Sequence, residues 1–553
     1  MKPAGGSRYW HWAGRWMLAL GLALAAARAA RASTYVVYIP LDSPIYQELD
    51  TLDGLGLLES YLPEIKPISR VEAARLVIEA RDRLAQTAAP DPLGQATIDV
   101  LKAQLALEMG WIERNEEDRL PSMVRPVERL LTQYTYSSGT RLKYYVQTAT
   151  RTTVSEATPL LSGNSDLPTA NGNNGAALWS GWAGLFGFIT GYGEGAYAGA
   201  LRNDPNAPDR DRIVDGAVVV GLGNVALSFG NEQMVWGVGH FGQLAQSANA
   251  SAFPALRVQN IHPSHLPWFL RYLGLFRWQA FLGQLDSNRT FAHPWIAGQI
   301  VSFKPLPNFE FGLTHTIDFG GSGNDAYGFA GFLGRATGFN TGSPLGANTN
   351  SRASVYARAR IQRWRGAQLY GEILGEDFYQ PFGKRLPIKT PFKSPSYTTG
   401  FYMPRLTADG LTDGRVEWTL TDRNYSIHND SLYWTYDGRL MGDPIGPGGT
   451  RIDVAIARWF DLRYKAGLDA FYETRQPENG SPWRSTEHGS GLEVDLFSLP
   501  VRMRRMDEAL ADFTASTSVE YVRDVNYTDQ SSVRTMLTVS IGLTPHAGTI
   551  VWR

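Results

Sequence analysis

The chain has no cysteine, and that absence removes disulfide scaffolds, cysteine-ligated zinc, iron–sulfur clusters and thiol catalysis together. Charge is scarce, at 19% of 553 residues against about 25% in an average soluble domain. Past the N-terminus no stretch suits a membrane-crossing helix: the nearest, 176–193, carries glycine at 181, 184, 187, 191 and 193 and reads better as strand. Nor is there an excess of positive charge, the formal net being -1, which disfavours a general nucleic-acid binder. What the chain does have is 57 glycines and 12% aromatic residues. Soluble enzymes rarely combine these.

Lys2, Arg8 and Arg15 precede an apolar run of 12 residues, Trp16 to Ala27, and Ala30-Arg31-Ala32 forms a small-x-small site before Ser33. This predicts a secretory signal over 1–32, too short for a membrane anchor. Its removal leaves 47 Lys and Arg against 53 Asp and Glu, a net of -6. Residues 33–120 then read as a helical bundle. Asp42-Ser43-Pro44 opens a helix with Ile45, Leu49 and Leu52 on one stripe before Gly54. Ser69-Arg70-Val71-Glu72 is a capping box for a second helix reaching about Leu84, and Asp91-Pro92 starts a third that runs through Met109 to Gly110.

Near residue 125 the apolar period changes from 3.6 to 2. From Arg352 to Gln362 every odd position is apolar and every even one is polar, charged or Tyr. The same alternation marks 142–147, 309–318, 464–473 and 532–543, and Gly-, Asn-, Ser- and Pro-rich stretches separate such segments over roughly 400 residues. Trp182, Phe186, Phe188 and Tyr192 are placed on one face of a strand region, opposite Gly181, Ala183, Gly187 and Gly191. A propeller would repeat a blade of about 40 to 50 residues, and none is found. The pattern fits instead a large antiparallel transmembrane β-barrel over 121–553, apolar side to lipid and polar side to the lumen. At roughly 24 residues per strand with its share of loop, about 18 strands are expected, with 16 the neighbouring even count. The C-terminal Val551-Trp552-Arg553 follows Pro545, so the last strand is expected to end at Leu543 and the terminal aromatic to stand apart from it.

The segment Leu227 to Gly239, containing Trp236-Gly237-Val238-Gly239, is followed by Gln246-Ser247-Ala248-Asn249-Ala250 and Phe253-Pro254-Ala255-Leu256-Arg257. In order, these resemble the signature of the Wzi-type capsule assembly outer-membrane proteins. Further likenesses are Pro305 to Leu313, Leu369 to Asp377, Tyr397 to Trp418, Val37 to Ser43 and Ser69 to Arg75. Departures are Val238, where many members have Pro, and Ala248, where a second Asn is usual. The resemblance implies a lectin-like protein of the Gram-negative outer membrane, its helical bundle on the periplasmic side, that anchors capsular or related polysaccharide at the cell surface. It also implies a monomer in contact with outer-membrane lipid, with no cofactor, metal or nucleic acid. An outer-membrane porin, or a channel for an exported polymer, is the alternative.

Acidic glycans call for fixed cations and aromatic platforms. The residues meeting that description are Arg352, Arg358 and Arg360 on one strand face, Arg277 beside Trp278, and Trp236, His240 and Arg257 in or next to the signature. Lumenal arginines also pair with acids such as Glu310, Glu372 or Asp469. Trp268 and Trp278 suit a membrane belt. Enzymatic readings fail: Glu372, Glu376 and Asp377 lack a partner acid for a glycosidase pair, Pro263 breaks the helix that a His262/His265 metal pair needs, and 321–324 is an incomplete phosphate loop.

Overall fold

A strand whose two faces differ this sharply is stable in a bilayer only when every backbone edge is paired, and closure into a ring achieves that. A computed structural model describes residues 34–87, 91–117, 120–146, 152–155, 167, 171–200, 211–287, 289–324, 329–336, 349–376, 395–425, 427–428, 432–477, 485–503, 509–545 and 548–552. The expected signal over 1–32 and Asp377 lie outside them.

Eighteen long strands form the wall. They are β1 (Ser122–Ser138), β2 (Gly172–Leu185), β3 (Ile189–Ala200), β4 (Asp211–Leu222), β5 (Val225–Glu232), β6 (Phe253–Asn260), β7 (Leu275–Gln284), β8 (Trp295–Leu306) and β9 (Phe309–Phe319). The second half comprises β10 (Thr349–Ile361), β11 (Ala367–Glu376), β12 (Ser396–Met403), β13 (Thr412–Leu420), β14 (Gly449–Phe460), β15 (Tyr464–Arg475), β16 (Glu487–Ser498), β17 (Ala509–Arg523) and β18 (Ser532–Thr544). Each pairs antiparallel with the next, and β18 pairs with β1 to close the ring. The wall is therefore a closed 18-stranded barrel, the larger of the two strand numbers.

The alternation has the sense the sequence implied. On β14, Ile452, Val454 and Ile456 point outward at 41, 51 and 47% exposure, while the intervening Asp453 is 2% exposed in the interior. Outward Phe276, Phe303 and Phe311 form a row with ring centroids 5.4 and 5.3 Å apart. Trp268 stands exposed in a short 3-10 turn, Trp268–Leu273, at the same rim. Two details differ from expectation. Trp182 to Tyr192 is a hairpin, because Phe186 and Gly187 take positive φ (57° and 80°) and turn the chain, leaving Trp182 inside and Phe186 exposed at the tip. And the C-terminus does rejoin the wall: past the bend the chain forms Ile550–Trp552, which pairs with the start of β1, Trp552 opposite Ser122.

Connections mostly alternate between short and long. One rim carries tight turns such as 186–188, 223–224, 307–308 and 461–463, and the other carries long loops such as 139–171, 233–252, 320–348 and 421–448. The helices α1 (Pro44–Gly54), α2 (Arg70–Leu84), α3 (Pro92–Gln104) and α4 (Ala106–Arg114) sit at the tight-turn rim. There Arg405 bonds Asp91 at 2.9 Å and His262 bonds Glu72 at 2.6 Å. Ser43, Ser69 and Asp91 cap the helices as their types predict. The third predicted helix is two, broken at Leu105 (φ -112°, ψ 21°). Near the break the Gln104 carbonyl accepts from Arg70 at 2.6 Å. Leu49, Leu52, Leu76, Val77, Leu101 and Leu105 make the bundle's own core. The preceding segment 34–39 runs inside the barrel, where Tyr35 lies flat against Gly184 and Val36 N donates to Thr190 Oγ1 at 3.1 Å.

Candidate ligand chamber

Two long-rim loops turn back into the lumen, and a re-entrant backbone needs partners for its N–H and C=O groups. The loop 233–252 finds them on the bundle: Ile65 and Lys66 pair antiparallel with Trp236 and Val235, and Gly237 N donates to the Glu64 carbonyl at 3.1 Å. It finds more on the second loop, 421–448, where Ser247 N donates to Met441 O at 2.8 Å and Asn249 Nδ2 to Leu440 O at 3.0 Å. Gly237 has φ 124°, and a Cβ there would lie 2.5 Å from Glu372 Oε2, so the tryptophan-glycine pair marks a close approach of loop to wall. Trp236, Leu244, Phe253, Phe281, Ile300, Tyr356 and Trp434 then form an apolar core across one side of the lumen.

Of the seven residues singled out by sequence, most brace this assembly. Trp236 is fully buried and donates from Nε1 to Gln279 Oε1. Arg257 pairs with Glu232 beneath the Tyr38 ring, its Cζ 4.2 Å from the centroid. Arg277 donates to Leu62 O at 3.2 Å. Arg352 donates to Ala245 O and lies 4.1 Å over Trp434. Arg360 bonds Asp53 at 2.5 Å, and Arg358 faces Glu310, Glu64 at 3.2 Å and Asp53 at 3.6 Å. Burial pushes Asp53 up, but Arg360 and Arg358 outweigh it and hold the carboxyl at about 2. Burial drives Glu64 well above the usual carboxylate range against the pull of Arg358. These arginines stitch bundle and loops to the wall; His240 and Arg358 also reach the open space beside them.

That space is a chamber of about 550 Å³ on the other side of the lumen, within the roughly 300–1,000 Å³ of small-molecule sites. Helix α1 closes it on the bundle side with Gln47, Asp50 and Thr51, loop residues 235–243 cover it, and β10 to β18 supply the wall. A side recess of about 230 Å³ continues beneath the loop past Lys66 and Gln243. Three cations converge here. Arg415 stacks on Tyr402 at 4.2 Å with Tyr370 at 5.7 Å, and donates to the Tyr370 hydroxyl at 3.1 Å. Lys66 lies 4.8 Å from the Tyr46 ring centroid, and Lys465 bonds Asp413 at 2.7 Å. His240 projects among them, its side chain open to the chamber; loss of bulk solvent first, then the charges of Arg415, Lys66 and Lys465, push its imidazole well below its ordinary value. Its backbone N and that of Phe241 donate to Glu417 at 2.8 and 3.0 Å, and Tyr370 donates to the same carboxylate at 2.7 Å. The same stretch of wall carries Asp469, level with Arg415 and two strands along from it through Ala455, and Asp495 on the next strand. Sequence reasoning missed Arg415, Lys66, Tyr370 and Tyr402. Tyr370 and the pair Tyr402 and Arg415 fell inside two of the resembling segments, but nothing in the sequence showed that they meet Lys66.

A closed antiparallel barrel with an apolar outer band, short turns on one rim and long loops on the other defines an outer-membrane β-barrel protein. The capsule assembly protein Wzi family model matches residues 141–535, and the chain belongs to that family. It is 26% identical over 159 residues to an uncharacterized 55.8 kDa protein in the cps region of Klebsiella pneumoniae, an alignment covering 28% of this chain and 31% of the relative's length. In fold it is similar to Wzi of Escherichia coli, described as an outer membrane protein involved in group 1 capsule assembly and a carbohydrate-binding β-barrel, with TM-score 0.63 and 16% identity over 93% of this chain and 99% of that one. OprD of Pseudomonas aeruginosa is a more distant neighbour, at TM-score 0.41 and 9% identity over 76% and 95% of the chains.

Proposed function

We propose that this chain binds carbohydrate in the outer membrane and anchors capsular or related polysaccharide at the cell surface. In this reading residues 1–32 are removed on export and the bundle lies in the periplasm, since short turns face that side in such barrels. The observation that carries it is the filled lumen: the bundle occupies one mouth, and the Ile65-Lys66 ladder with Val235-Trp236 joins it to loops that cross the interior. A barrel so built is suited to holding a ligand rather than passing solutes, which counts against the porin alternative. The test is a deletion strain. Polymer should still be made but shed into the medium, and the purified protein should retain polysaccharide while giving no steady conductance in planar bilayers. Unchanged cell-bound polymer, or porin-like conductance steps, would refute the reading.

A further inference from the structure

Most lumenal cations of this barrel are spent on protein partners. Arg257, Arg358, Arg360, Arg451, Arg475 and Arg534 each meet a carboxylate. Arg415 and Lys66 do not: among the described residues neither has a carboxylate within salt-bridge distance, and they meet aromatic faces and, for Arg415, the Tyr370 hydroxyl. Both are only half-buried, and both open on the same chamber. The one acid closest to acting on Arg415, Glu417, is already occupied by three donors. An arginine with four idle donors, held rigidly over a tyrosine in an enclosed space, is preorganised for an anion. The chamber is not uniformly positive, however. Asp469 and Asp495 face it from β15 and β16, and carboxylates in that position accept from hydroxyl groups.

We propose that the chamber binds a carboxylated sugar unit, a hexuronate, with its carboxylate on Arg415 and Lys66, the His240 ring as a further donor, and its hydroxyls toward Asp469 and Asp495. Cations set beside carboxylate acceptors select for a molecule carrying both an anion and several hydroxyls. A free inorganic anion satisfies the cations and meets repulsion from the carboxylates; a neutral sugar leaves the cations unanswered. The inference rests on the carbohydrate reading for the sugar, and on the unpaired cations for the charge.

The experiment is calorimetric or saturation-transfer titration of the detergent-solubilised protein with D-glucuronate, D-glucose and inorganic phosphate. Glucuronate should bind at least tenfold more tightly than either of the others. Arg415→Gln and Lys66→Gln should each weaken it tenfold or more, and Arg415→Lys, which keeps the charge, should weaken it less. Heat-modifiable electrophoretic mobility confirms that each variant barrel is closed. Glucose equal to glucuronate, phosphate equal to glucuronate, or variants that bind as the parent does would each overturn the proposal. Cell-bound polymer in the deletion strain is a separate readout, so the chamber and the anchoring role can fail independently.

Discussion

Arg358 is where bundle and wall are tied at one point, and removing it should loosen the bundle in a measurable way. Its guanidinium meets Glu310 on β9, Glu64 at 3.2 Å and Asp53 at 3.6 Å, with Gln368 at 3.4 Å, and all three acids are nearly sealed from solvent. Arg358→Gln leaves Asp53 its bond to Arg360, but Glu310 loses its nearest cation and keeps only Lys304 at 4.0 Å, beside a Glu64 that burial already holds well above the usual carboxylate range. Breaking a buried pair so costs about 3–5 kcal/mol, and each 1.4 kcal/mol is a factor of ten. Amide exchange of α1, which carries Asp53, should therefore accelerate roughly 10²- to 10³-fold in Arg358→Gln. Adding Glu64→Gln and Glu310→Gln should return most of the protection, because the penalty is unpaired charge rather than lost packing. A folded Arg358→Gln barrel with unchanged α1 exchange, or a triple variant no better than the single one, would refute the assignment.

Burial raises Glu48 to about 8, partly offset by the bond from Gln104; its folded value lies above the unfolded one, so the stability it contributes below pH 4.5 is lost as pH climbs to 8. Glu48→Gln should thus be neutral near pH 4 and stabilise the bundle by roughly 3–5 kcal/mol above pH 8, seen as a flattened pH dependence of thermal unfolding. Glu72 behaves oppositely: burial raises it, but Arg75 and His262 outweigh that and hold it at about 2, so its contribution of about 3 kcal/mol is present above pH 4.5 and lost as pH falls toward 2. Acid should therefore free α2 from the His262 turn before the barrel opens, and Glu72→Gln should remove that acid dependence. A Cβ at Gly184 would lie 2.6 Å from the Tyr35 ring, so Gly184→Val should expel segment 34–39 and raise its protease sensitivity while leaving the closed barrel intact.

The wall was legible because a period of two has one structural meaning at this length, and the outward residues of β10, β14 and β18 needed no knowledge of their neighbours. The helix starts were legible for the same reason, since Ser43, Ser69 and Asp91 act on backbone N–H groups two or three residues away. The roles of the arginines were not. Arg358 reads as a lumenal cation whether it awaits a ligand or meets Asp53, some 300 residues earlier, and nothing local distinguishes the two. Trp236 misled for a related reason: an aromatic in a glycine-rich loop suggests an exposed platform, but this loop re-enters the barrel and seals the ring against Phe281, with centroids 5.2 Å apart. The returning C-terminus was hidden because Pro545 ends β18 locally, while the partner of Trp552 is Ser122 at the other end of the barrel.

The same bundle that fills the mouth also furnishes the floor of the chamber, and this couples the two halves of the structure. Lys66 belongs to the segment between α1 and α2, and it reaches the chamber only while its two-residue ladder with Val235 holds. Arg415 belongs to the wall and keeps its place regardless. Undocking the bundle should therefore separate the two proposed carboxylate partners without altering either side chain. Arg358→Gln, which leaves Arg415, Lys66 and His240 intact, should accordingly weaken glucuronate binding in proportion to the fraction of molecules whose bundle has opened, and the charge-relieved triple variant should recover it. By linkage, glucuronate should in turn slow α1 exchange in the single variant by up to the factor 1 + [L]/Kd. Binding that survives while α1 exchanges freely would place the ligand on the wall or the long loops alone, and would separate the site from the plug that forms its floor.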